Sequence, residues 1–299
     1  MILVTGATGF IGSEILRRGS RRGWRIRGLS RHPDRAEALG RLPHVELFRG
    51  DVSTPADLEE AMEGVAAVVH LVGIIHEGNQ SFEEAHVQGT RRVLEAARSA
   101  GVERYVHMSA LGAEQGRGLT DYFDTKWRAE ELVRDAPLEA TIFRPSVVFG
   151  PDDEFTNRLA TIAKWSPVVF LPGGGKQRMQ PIWVGDVAEC FLQAARMEAS
   201  PRETYEMGGP EVLTVADMVR VLLDAMGRSR RPVAPVPVGV ASIGAAVMES
   251  APGDPLVTRA QLKMLEIESV PEEESLRALI RDFEFEHARL AEKAPAWLN

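Results

Sequence analysis

Leu3-Val-Thr-Gly-Ala-Thr-Gly-Phe-Ile-Gly12 is the stretch of sequence that decides the fold. An apolar run leads into three glycines, and the amphipathic stretch 13–18 follows at once. This is the order of a strand, a tight turn and a helix, in which Gly6 makes the turn, Gly9 admits a pyrophosphate and Gly12 allows close packing. A glycine-rich turn without a ligand is the alternative. Because strand and helix patterns flank the glycines on both sides, the sequence predicts a dinucleotide at this helix N-terminus.

Composition narrows the class of protein. The chain has 299 residues, a net charge of −8 and 44% apolar residues, which is typical of a globular protein and argues against nucleic acid as a partner. The lone Cys190 fits a reducing compartment, and Met1 leads directly into a strand, so we expect no signal peptide. No apolar run is long enough for a transmembrane segment, and no cluster has metal-ligand spacing, so no metal is expected. We expect a cytoplasmic protein, with the inner face of the membrane as the alternative location.

The first half of the chain alternates strand and helix patterns. Residues 65–72 form an almost uninterrupted apolar strand, which is typical of a parallel sheet covered on both faces. A long helix is expected over 82–100, and His70 and His107 in the neighbouring strands are expected to be core residues with satisfied partners. The pattern predicts an α/β fold with a doubly wound parallel sheet, a Rossmann fold, and a smaller, mostly helical C-terminal substrate region.

The pattern changes after Gly150. We expect a nucleotide-binding domain made of residues 1–150 and about 181–209, and a substrate or partner domain made of 151–180 and about 210–299. Prolines 232, 235 and 237 are expected to form a stiff linker. The apolar stretch 238–248 that follows is either a helix packed on the substrate domain or an interface with a second copy, a membrane or a protein partner.

Residues after the second predicted strand indicate which dinucleotide binds. Folds of this kind that prefer NAD usually place Asp or Glu there to hold the ribose 2′-hydroxyl. This chain has Ser30 and Arg31, with Arg35 nearby, and a hydroxyl with a cation suits a 2′-phosphate. Arg31 as a merely solvated arginine is the alternative. The sequence therefore favours NADP(H) over NAD(H).

Ser109, Tyr122 and Lys126 form the candidate catalytic set. Ser109 follows a predicted strand, at the end where open α/β sheets bind ligands. Tyr122 and Lys126 are four residues apart and share one helix face. We expect the ammonium to lower the pKa of the phenol, which would make Tyr122 an acid/base near neutral pH, while Ser109 binds a substrate oxygen. A Tyr and a Lys at this spacing also occur by chance.

Longer matches point to a family. The chain resembles the extended and atypical short-chain dehydrogenase/reductase superfamily, the NAD(P)-dependent epimerase/dehydratase group. The resemblance is carried by residues 5–12, 50–52, 70–73, 89–91, 109, 122–126, 144–150 and 184–187. It implies that Asp51 and Val52 flank the adenine, that Val72 and Gly73 lie along the cofactor, that Lys126 binds the nicotinamide ribose, and that residues 145–147 face the nicotinamide. The expected cofactor-binding set is Gly6, Thr8, Gly9, Phe10, Ile11, Gly12, Ser30, Arg31, Asp51, Val52, Leu71, Val72, Gly73, Lys126, Pro145 and Val147.

Within the superfamily, the chain is most similar to bacterial proteins resembling the NADPH-binding accessory subunit of respiratory complex I. The carrying stretches are 144–153, 172–181, 205–214 and 261–265. Sugar-nucleotide epimerases differ, because they usually have Arg-Asp where this chain has Met179-Gln180, and Asn where it has His86. The missing arginine removes a diphosphate clamp, although Lys176 and Arg178 are alternative anion contacts or else simply exposed cations.

Three functions are open. The first is an NADP(H)-binding oxidoreductase that acts on a small carbonyl or quinone-like substrate. The second is a non-catalytic NADPH-binding accessory or assembly protein, and the third is a sugar-nucleotide epimerase or dehydratase. The intact Ser, Tyr and Lys set favours catalysis over the accessory role, and Met179 disfavours the epimerase. The expected partners are a small-molecule substrate and either a second copy or a peripheral membrane or protein surface.

Overall fold

The structure is a computed structural model that describes residues 1–78, 80–197, 203–249 and 258–298. Its strands are β1 Ile2–Thr5, β2 Ile26–Ser30, β3 Val45–Arg49, β4 Ala67–His70, β5 Arg104–Met108, β6 Glu139–Pro145, β7 Val148–Phe149, β8 Val169–Pro172, β9 Arg178–Met179, β10 Ile182–Trp183, β11 Thr204–Met207, β12 Leu213–Thr214 and β13 Val233–Val236. Its α-helices are α1 Phe10–Arg21, α2 Glu37–Gly40, α3 Pro55–Ala61, α4 Gly89–Ser99, α5 Asp121–Asp135, α6 Glu154–Trp165, α7 Val184–Ala194, α8 Val215–Ala225, α9 Val238–Glu249, α10 Arg259–Met264, α11 Glu273–Asp282, α12 Leu290–Lys293 and α13 Pro295–Leu298. A 3₁₀-helix, Pro33–Ala36, and a π-helix, Glu83–Gln88, complete the set.

The chain divides into two units. The first consists of Met1–Pro145, Val184–Met207 and Glu272–Glu286, and the second of Ser146–Trp183, Gly208–Pro271 and His287–Asn299. The sequence assigned 272–286 to the C-terminal domain, whereas α11 packs on β11 in the first unit. Tyr205 of β11 explains this return, because its ring meets the ring of Phe283 and its hydroxyl donates to Asp282 at 3.0 Å.

A seven-stranded parallel sheet forms the centre of the first unit. The strand order is β11-β6-β5-β4-β1-β2-β3, and every neighbouring pair runs parallel. The predicted doubly wound sheet is thereby confirmed. Strands β1 and β4 are buried along their whole length, as the apolar run around residue 68 predicted. Because all strands are parallel, their carboxyl ends meet at one edge of the sheet, which is where ligands bind in such folds.

One buried ion pair attaches helix α5 to this sheet. Glu130 of α5 is fully buried and accepts two hydrogen bonds from Arg144 of β6, at 2.9 and 2.8 Å. A buried carboxylate needs such a partner, because an isolated charge is costly to remove from water. The pair therefore fixes the helix that carries Tyr122 and Lys126 against the sheet.

Two features of the chain differ from the sequence-based expectation. The helix expected over 82–100 begins as the π-helix Glu83–Gln88 and becomes α-helical only at Gly89. The expected proline linker contains a strand, β13, which pairs in parallel with β8. The carbonyls of Pro232 and Val236 accept hydrogen bonds from the backbone N–H groups of Val169 and Gly173. Because alternate residues of a strand face the same neighbour, Pro235 directs its nitrogen away from β8. Strand β13 has no neighbour on its other side among the described residues, so the missing N–H costs no hydrogen bond.

The second unit has its own apolar core. It is built between α6, α8 and the C-terminal helices, with Phe149, Met218 and Leu222 fully buried. The predicted cap of α8 is present as a capping box between Thr214 and Asp217. Three short two-stranded sheets, β7 with β10, β8 with β13 and β9 with β12, complete the unit.

A membrane-spanning helix and a metal-binding cluster are both absent from the part of the chain that the structure describes. Within residues 1–78, 80–197, 203–249 and 258–298, no helix has both the length and the apolarity to cross a membrane. Across the same ranges, no group of His, Cys, Asp or Glu side chains is placed to hold a metal ion.

Candidate functional site

The turn between β1 and α1 has the shape that a pyrophosphate needs. Gly6 has a φ of 71°, which favours glycine, and a Cβ on Gly12 would clash with the Gly6 carbonyl oxygen and the backbone of Ala7. Gly9 is the N-cap of α1, with no capping side chain and no acidic side chain in the first turn. The first N–H groups of the helix therefore face no carboxylate of their own turn, and an anion fits there. Thr8, Phe10 and Ile11 complete this turn.

Ser30 and Arg31 lie at the end of β2. The Ser30 hydroxyl is buried and lies 3.2 Å from the Thr8 hydroxyl, which connects the end of β2 to the glycine turn. The Arg31 side chain is exposed, and among the described residues no carboxylate pairs with its guanidinium. Arg49 instead bonds the Arg31 carbonyl and pairs with Asp34. A hydroxyl and an unpaired cation thus stand at the position where an acid would select NAD.

The expected adenine and ribose contacts occupy the next strand ends. Asp51 follows β3, and its carboxylate accepts from the Ser53 N–H at 2.8 Å, which shapes the turn. Val52 is buried beside it. Leu71 and Val72 follow β4, where a Cβ on Gly6 would already lie 3.3 Å from their backbone atoms.

Lys126 of α5 is buried and held by a backbone carbonyl. Its ammonium donates to the Met108 carbonyl oxygen at 3.2 Å, and Met108 directly precedes Ser109. A Cβ on Gly73 would come within 2.8 Å of the Lys126 Nζ, so a larger residue there would require this side chain to shift. Burial lowers the pKa of Lys126 to about 8, although Glu130 acts in the opposite direction.

Tyr122 is surrounded by aromatic rings. Its ring meets those of Phe82, His86 and Phe123 edge to face, with centroids 5.4 to 5.8 Å apart. Burial raises the pKa of Tyr122 to about 12, so the expectation of a lowered value is wrong for this structure. The Lys126 ammonium points to the Met108 carbonyl and contributes nothing to this shift.

Ser109 has a buried hydroxyl without a partner. Its side chain is 1% exposed, and no described residue hydrogen-bonds to its Oγ. The backbone N–H of Ser109 donates to the Phe143 carbonyl at 2.8 Å, which fixes the residue between the ends of β5 and β6. Buried hydroxyls are nearly always hydrogen-bonded, so an orphan at a ligand-binding sheet edge indicates a position for a ligand oxygen.

His86 has a role that the sequence did not reveal. The His86 Nε2 lies 3.1 Å from both the N–H and the carbonyl oxygen of Ile74, and its Nδ1 lies 2.9 Å from the Thr125 hydroxyl. Thr125 in turn donates to the Asp121 carbonyl at 2.7 Å. His86 therefore connects the loop after β4 with the turn of α5 that carries Tyr122 and Lys126. Its place on a π-helix is invisible in the sequence, and only its departure from the Asn that is usual in sugar-nucleotide epimerases marks it.

Two further histidines lie in the core beneath the site. His70 behaves as expected, because Nδ1 lies 2.7 Å from the Thr5 hydroxyl and Nε2 lies 3.2 Å from that of Thr90. His107 stacks on His70, but neither of its ring nitrogens has a partner within the described ranges, contrary to expectation. Burial lowers the pKa of all three histidines, that of His70 to about 3 and that of His86 to about 2.

The remaining expected residues fall in both units. Pro145 ends β6, and its carbonyl accepts from the Leu111 N–H at 3.0 Å. Val147 belongs to the second unit, where it packs against the apolar core. Arg178 is paired with Glu268 at 2.8 and 2.6 Å, so it is not the free anion contact that the sequence left open, whereas Lys176 is exposed.

Comparisons with known proteins identify the family of the chain. The model of the NAD dependent epimerase/dehydratase family matches residues 2–208. The Arabidopsis thaliana protein named NADH dehydrogenase [ubiquinone] 1 alpha subcomplex subunit 9, mitochondrial, is 32% identical over 228 residues, which cover 74% of this chain and 56% of that protein. The Caulobacter vibrioides ceramide reductase is 35% identical over 170 residues, or 56% of this chain and 53% of that protein.

Solved structures share the fold over nearly the whole length. The crystal structure of gox2253 has a TM-score of 0.77 and 26% identity, and covers 99% of this chain and 97% of its own. The UDP-glucose 4-epimerase of Thermus thermophilus, in complex with NAD, has a TM-score of 0.75 and 22% identity, with coverages of 99% and 97%. The chain spans only a little over half the length of the first three curated relatives.

Proposed function

The chain belongs to the NAD dependent epimerase/dehydratase family, and from that membership we propose that it is an oxidoreductase that uses NADP(H) to reduce a small carbonyl or quinone-like compound. One observation carries this proposal. Ser109, whose buried hydroxyl has no partner among the described residues, directly follows Met108 in the chain. The carbonyl of Met108 accepts a hydrogen bond from the Lys126 ammonium. A hydrogen-bond donor for a substrate oxygen and a buried cation thus meet at the carboxyl end of one strand.

Ser109, Lys126 and Tyr122 each have a different role in the proposed reduction. The bound cofactor supplies hydride. Ser109 donates a hydrogen bond to the substrate carbonyl oxygen, and Lys126 supplies positive charge that favours the charge developing on that oxygen. Tyr122 is the general acid. With a pKa of about 12 its phenol is protonated at neutral pH, which is the form that a carbonyl reduction requires.

The preference for NADP(H) rests on the end of β2. Ser30 and Arg31 stand where an acidic side chain would favour NAD, and the Arg31 guanidinium has no protein carboxylate within the described residues. Charge-assisted contacts to a 2′-phosphate suit both groups. The Thermus thermophilus epimerase and another solved neighbour are named with NAD, so the preference is argued from this chain's own residues and not from theirs.

A substrate of lipid character is favoured by the names of two relatives. One is called a ceramide reductase and another, from Methylococcus capsulatus, a sterol demethylase protein B. Ceramides and sterols are both lipids. We therefore include lipid carbonyl compounds and quinones among the substrates to be tested.

An accessory role is the second candidate, because several curated relatives are named as subunits of NADH dehydrogenase or NADH-ubiquinone oxidoreductase. In that case the cofactor is bound for stability and the Ser109 hydroxyl has no substrate. A sugar-nucleotide epimerase is the third candidate. It is disfavoured because Met179 is buried where sugar-nucleotide epimerases usually have arginine, and because Arg178 is engaged by Glu268.

The experiment has two stages. Titration with NADPH and NADH first measures binding of each cofactor, and oxidation of NADPH is then followed with quinones, lipid carbonyl compounds and small aldehydes. Tyr122→Phe removes only the acid, so we expect intact NADPH binding and loss of the chemical step. Ser109→Ala should reduce kcat in the same assay. Tight NADPH binding with no turnover of any compound supports the accessory role, and turnover that survives Tyr122→Phe contradicts the mechanism.

A further inference from the structure

Six large apolar side chains of the second unit are exposed among the described residues, and five of them, all except Val212, lie on α6, β8 and α9. These five are Trp165 at 79%, Phe170 at 61%, Val238 at 47%, Val240 at 56% and Ile243 at 68%. Together they are called here the apolar surface. An exposed tryptophan and phenylalanine within such a set are unusual for a water-facing surface, which normally shows large apolar residues singly.

The chain brings these residues close together. Strand β8 carries Phe170, which lies opposite Ala234 of β13, and α9 starts two residues after that strand ends. Val238 at the start of α9 lies close to the end of β8. Its Cγ2 would be 3.5 Å from a Cβ on Gly173, the residue that follows this strand. Trp165 ends α6, four residues before β8 begins. The apolar surface is therefore built on segments that follow one another closely in the chain, with β8 paired to β13 and Val238 beside the end of β8.

Helix α9 needs an apolar neighbour. Its sequence from Val238 to Met248 contains no charged side chain. Ala245 is buried, whereas Val240 and Ile243, three positions apart, are exposed. The side chain of Val247 lies outside the described residues. A helix that is apolar all round is stable when it is covered on more than one face, so water is an unfavourable environment for this one. The sequence left open a helix packed on the substrate domain. The face of α9 that bears Ile243 is exposed and is not packed in this way.

The segments that build this surface carry only positive charge. Residues 155–183 and 225–248 contain no Asp or Glu, although the whole chain has a net charge of −8. They contain Arg158, Lys164, Lys176, Arg178, Arg228, Arg230 and Arg231, of which Arg158 and Arg178 are paired with Glu154 and Glu268 from outside these ranges. Of these, Arg228 and Arg231 donate to the Lys164 carbonyl, which places the cationic loop beside Trp165. Lys164 and Arg230 are exposed.

We propose that the apolar surface docks on an anionic lipid bilayer. Trp165, Phe170 and the exposed face of α9 enter the interfacial region, where aromatic and aliphatic side chains are favoured. Lys164 and Arg230 face the lipid phosphates, which attract cations near the bilayer surface. The acid-free segments fit this partner because a carboxylate there would be repelled by the same headgroups. This docking is independent of the catalytic proposal.

Vesicle sedimentation tests the docking. The full chain is mixed with phosphatidylcholine vesicles and with vesicles in which part of that lipid is replaced by phosphatidylglycerol. We expect stronger binding to the anionic vesicles and a decrease with added salt. Lys164→Gln and Arg230→Gln should each lower the partition coefficient about fivefold. The double variant V240D/I243D should lose binding, whereas Ile280→Asp, an exposed apolar residue of α11, is the matched control and should bind like the wild type.

Several outcomes would overturn the proposal. Equal binding to neutral and anionic vesicles, or no binding to either, contradicts it. A wild-type dimer in analytical ultracentrifugation that V240D/I243D converts to monomer identifies a second copy as the occupant instead. If V240D/I243D unfolds, the variant pair Trp165→Ser and Phe170→Ser decides, because these aromatic side chains are exposed and lie outside α9; retained vesicle binding in that pair contradicts the docking.

Discussion

At the scale of single residues, the candidate site is defined by groups that lack what a folded protein normally provides. The Ser109 hydroxyl is buried without a partner, and the Arg31 guanidinium has no carboxylate among the described residues. Lys126 is buried with a carbonyl instead of an acid at its ammonium. The two buried arrangements, at Ser109 and Lys126, are less stable than an ordinary alternative, and a ligand of the expected kind would satisfy all three groups.

Arg31 gives the first prediction. Arg31→Asp removes a charge-assisted phosphate contact, so NADPH binding should weaken by about 1.5–3 kcal/mol, or roughly tenfold to a hundredfold, and NADH should be relatively favoured. Fluorescence titration with both cofactors measures this change. Arg25→Asp at the opposite end of β2 is the matched control and should leave the ratio of the two affinities unchanged. Equal affinity of the wild type for NADPH and NADH contradicts the assignment.

Lys126 gives the second prediction. The folded state lowers its pKa from 10.5 to about 8, so below pH 8 the protein bears the cost of a buried ammonium. Lys126→Met removes that cost and one hydrogen bond, which leaves a net stabilisation of about 2 kcal/mol at neutral pH. The wild type recovers stability as pH rises from 8 towards 10.5, because there the unfolded chain binds the additional proton.

Urea denaturation across this pH range measures the effect. The difference between Lys126→Met and the wild type should shrink as the pH rises, and the exposed Lys176→Met should show no such trend. A variant less stable than the wild type at neutral pH would mean that the ammonium is not buried at a cost.

At the scale of elements, the sequence predicted what depends on local pattern and missed what depends on neighbours. The glycine turn and the Thr214–Asp217 capping box follow from residue types at fixed spacing, and both are present. The sequence predicted a linker in place of strand β13, because prolines usually interrupt strands. They are tolerated here because β13 pairs with a neighbour on one side only. The pKa of Tyr122 was predicted in the wrong direction, because burial by Phe82 and His86 arises from elements distant in sequence.

His86 gives the prediction at this scale. His86→Ala breaks the hydrogen bonds to Ile74 and Thr125 and leaves a small cavity, so we expect a loss of about 3 kcal/mol in the free energy of unfolding. It should also lower kcat more than NADPH binding, because it frees the turn of α5 that carries Tyr122. His76→Ala, in the exposed part of the same loop, is the control for both measurements. Unchanged stability and kcat would contradict the role assigned to His86.

At the scale of the whole molecule, three buried neutral histidines make the first unit sensitive to acid. Their folded pKa values lie well below the usual 6.5, so between pH 6.5 and about 3 the unfolded chain binds protons that the folded chain does not. Stability therefore falls as the pH falls, by about 1.4 kcal/mol per pH unit for each histidine and about 4 kcal/mol for all three.

Urea denaturation at several pH values below 6.5 tests this prediction. His70→Asn should reduce the slope by about a third, whereas the exposed His76→Gln should leave it unchanged. A wild type whose stability does not vary from neutral pH to mildly acid pH would show that these rings are protonated in the folded state.

The return of α11 to the first unit has a consequence for biosynthesis. The ribosome releases residues 1–145 first, yet the edge of their sheet is covered only after residues 272–286 have emerged. Until then Tyr205 and the outer edge of β11 are exposed. The 64 residues 208–271 of the second unit are synthesised during this interval. Such long-range closure is slow and leaves an unpaired edge open to aggregation. A nascent chain stalled before residue 272 is therefore the state in which chaperones should hold this protein.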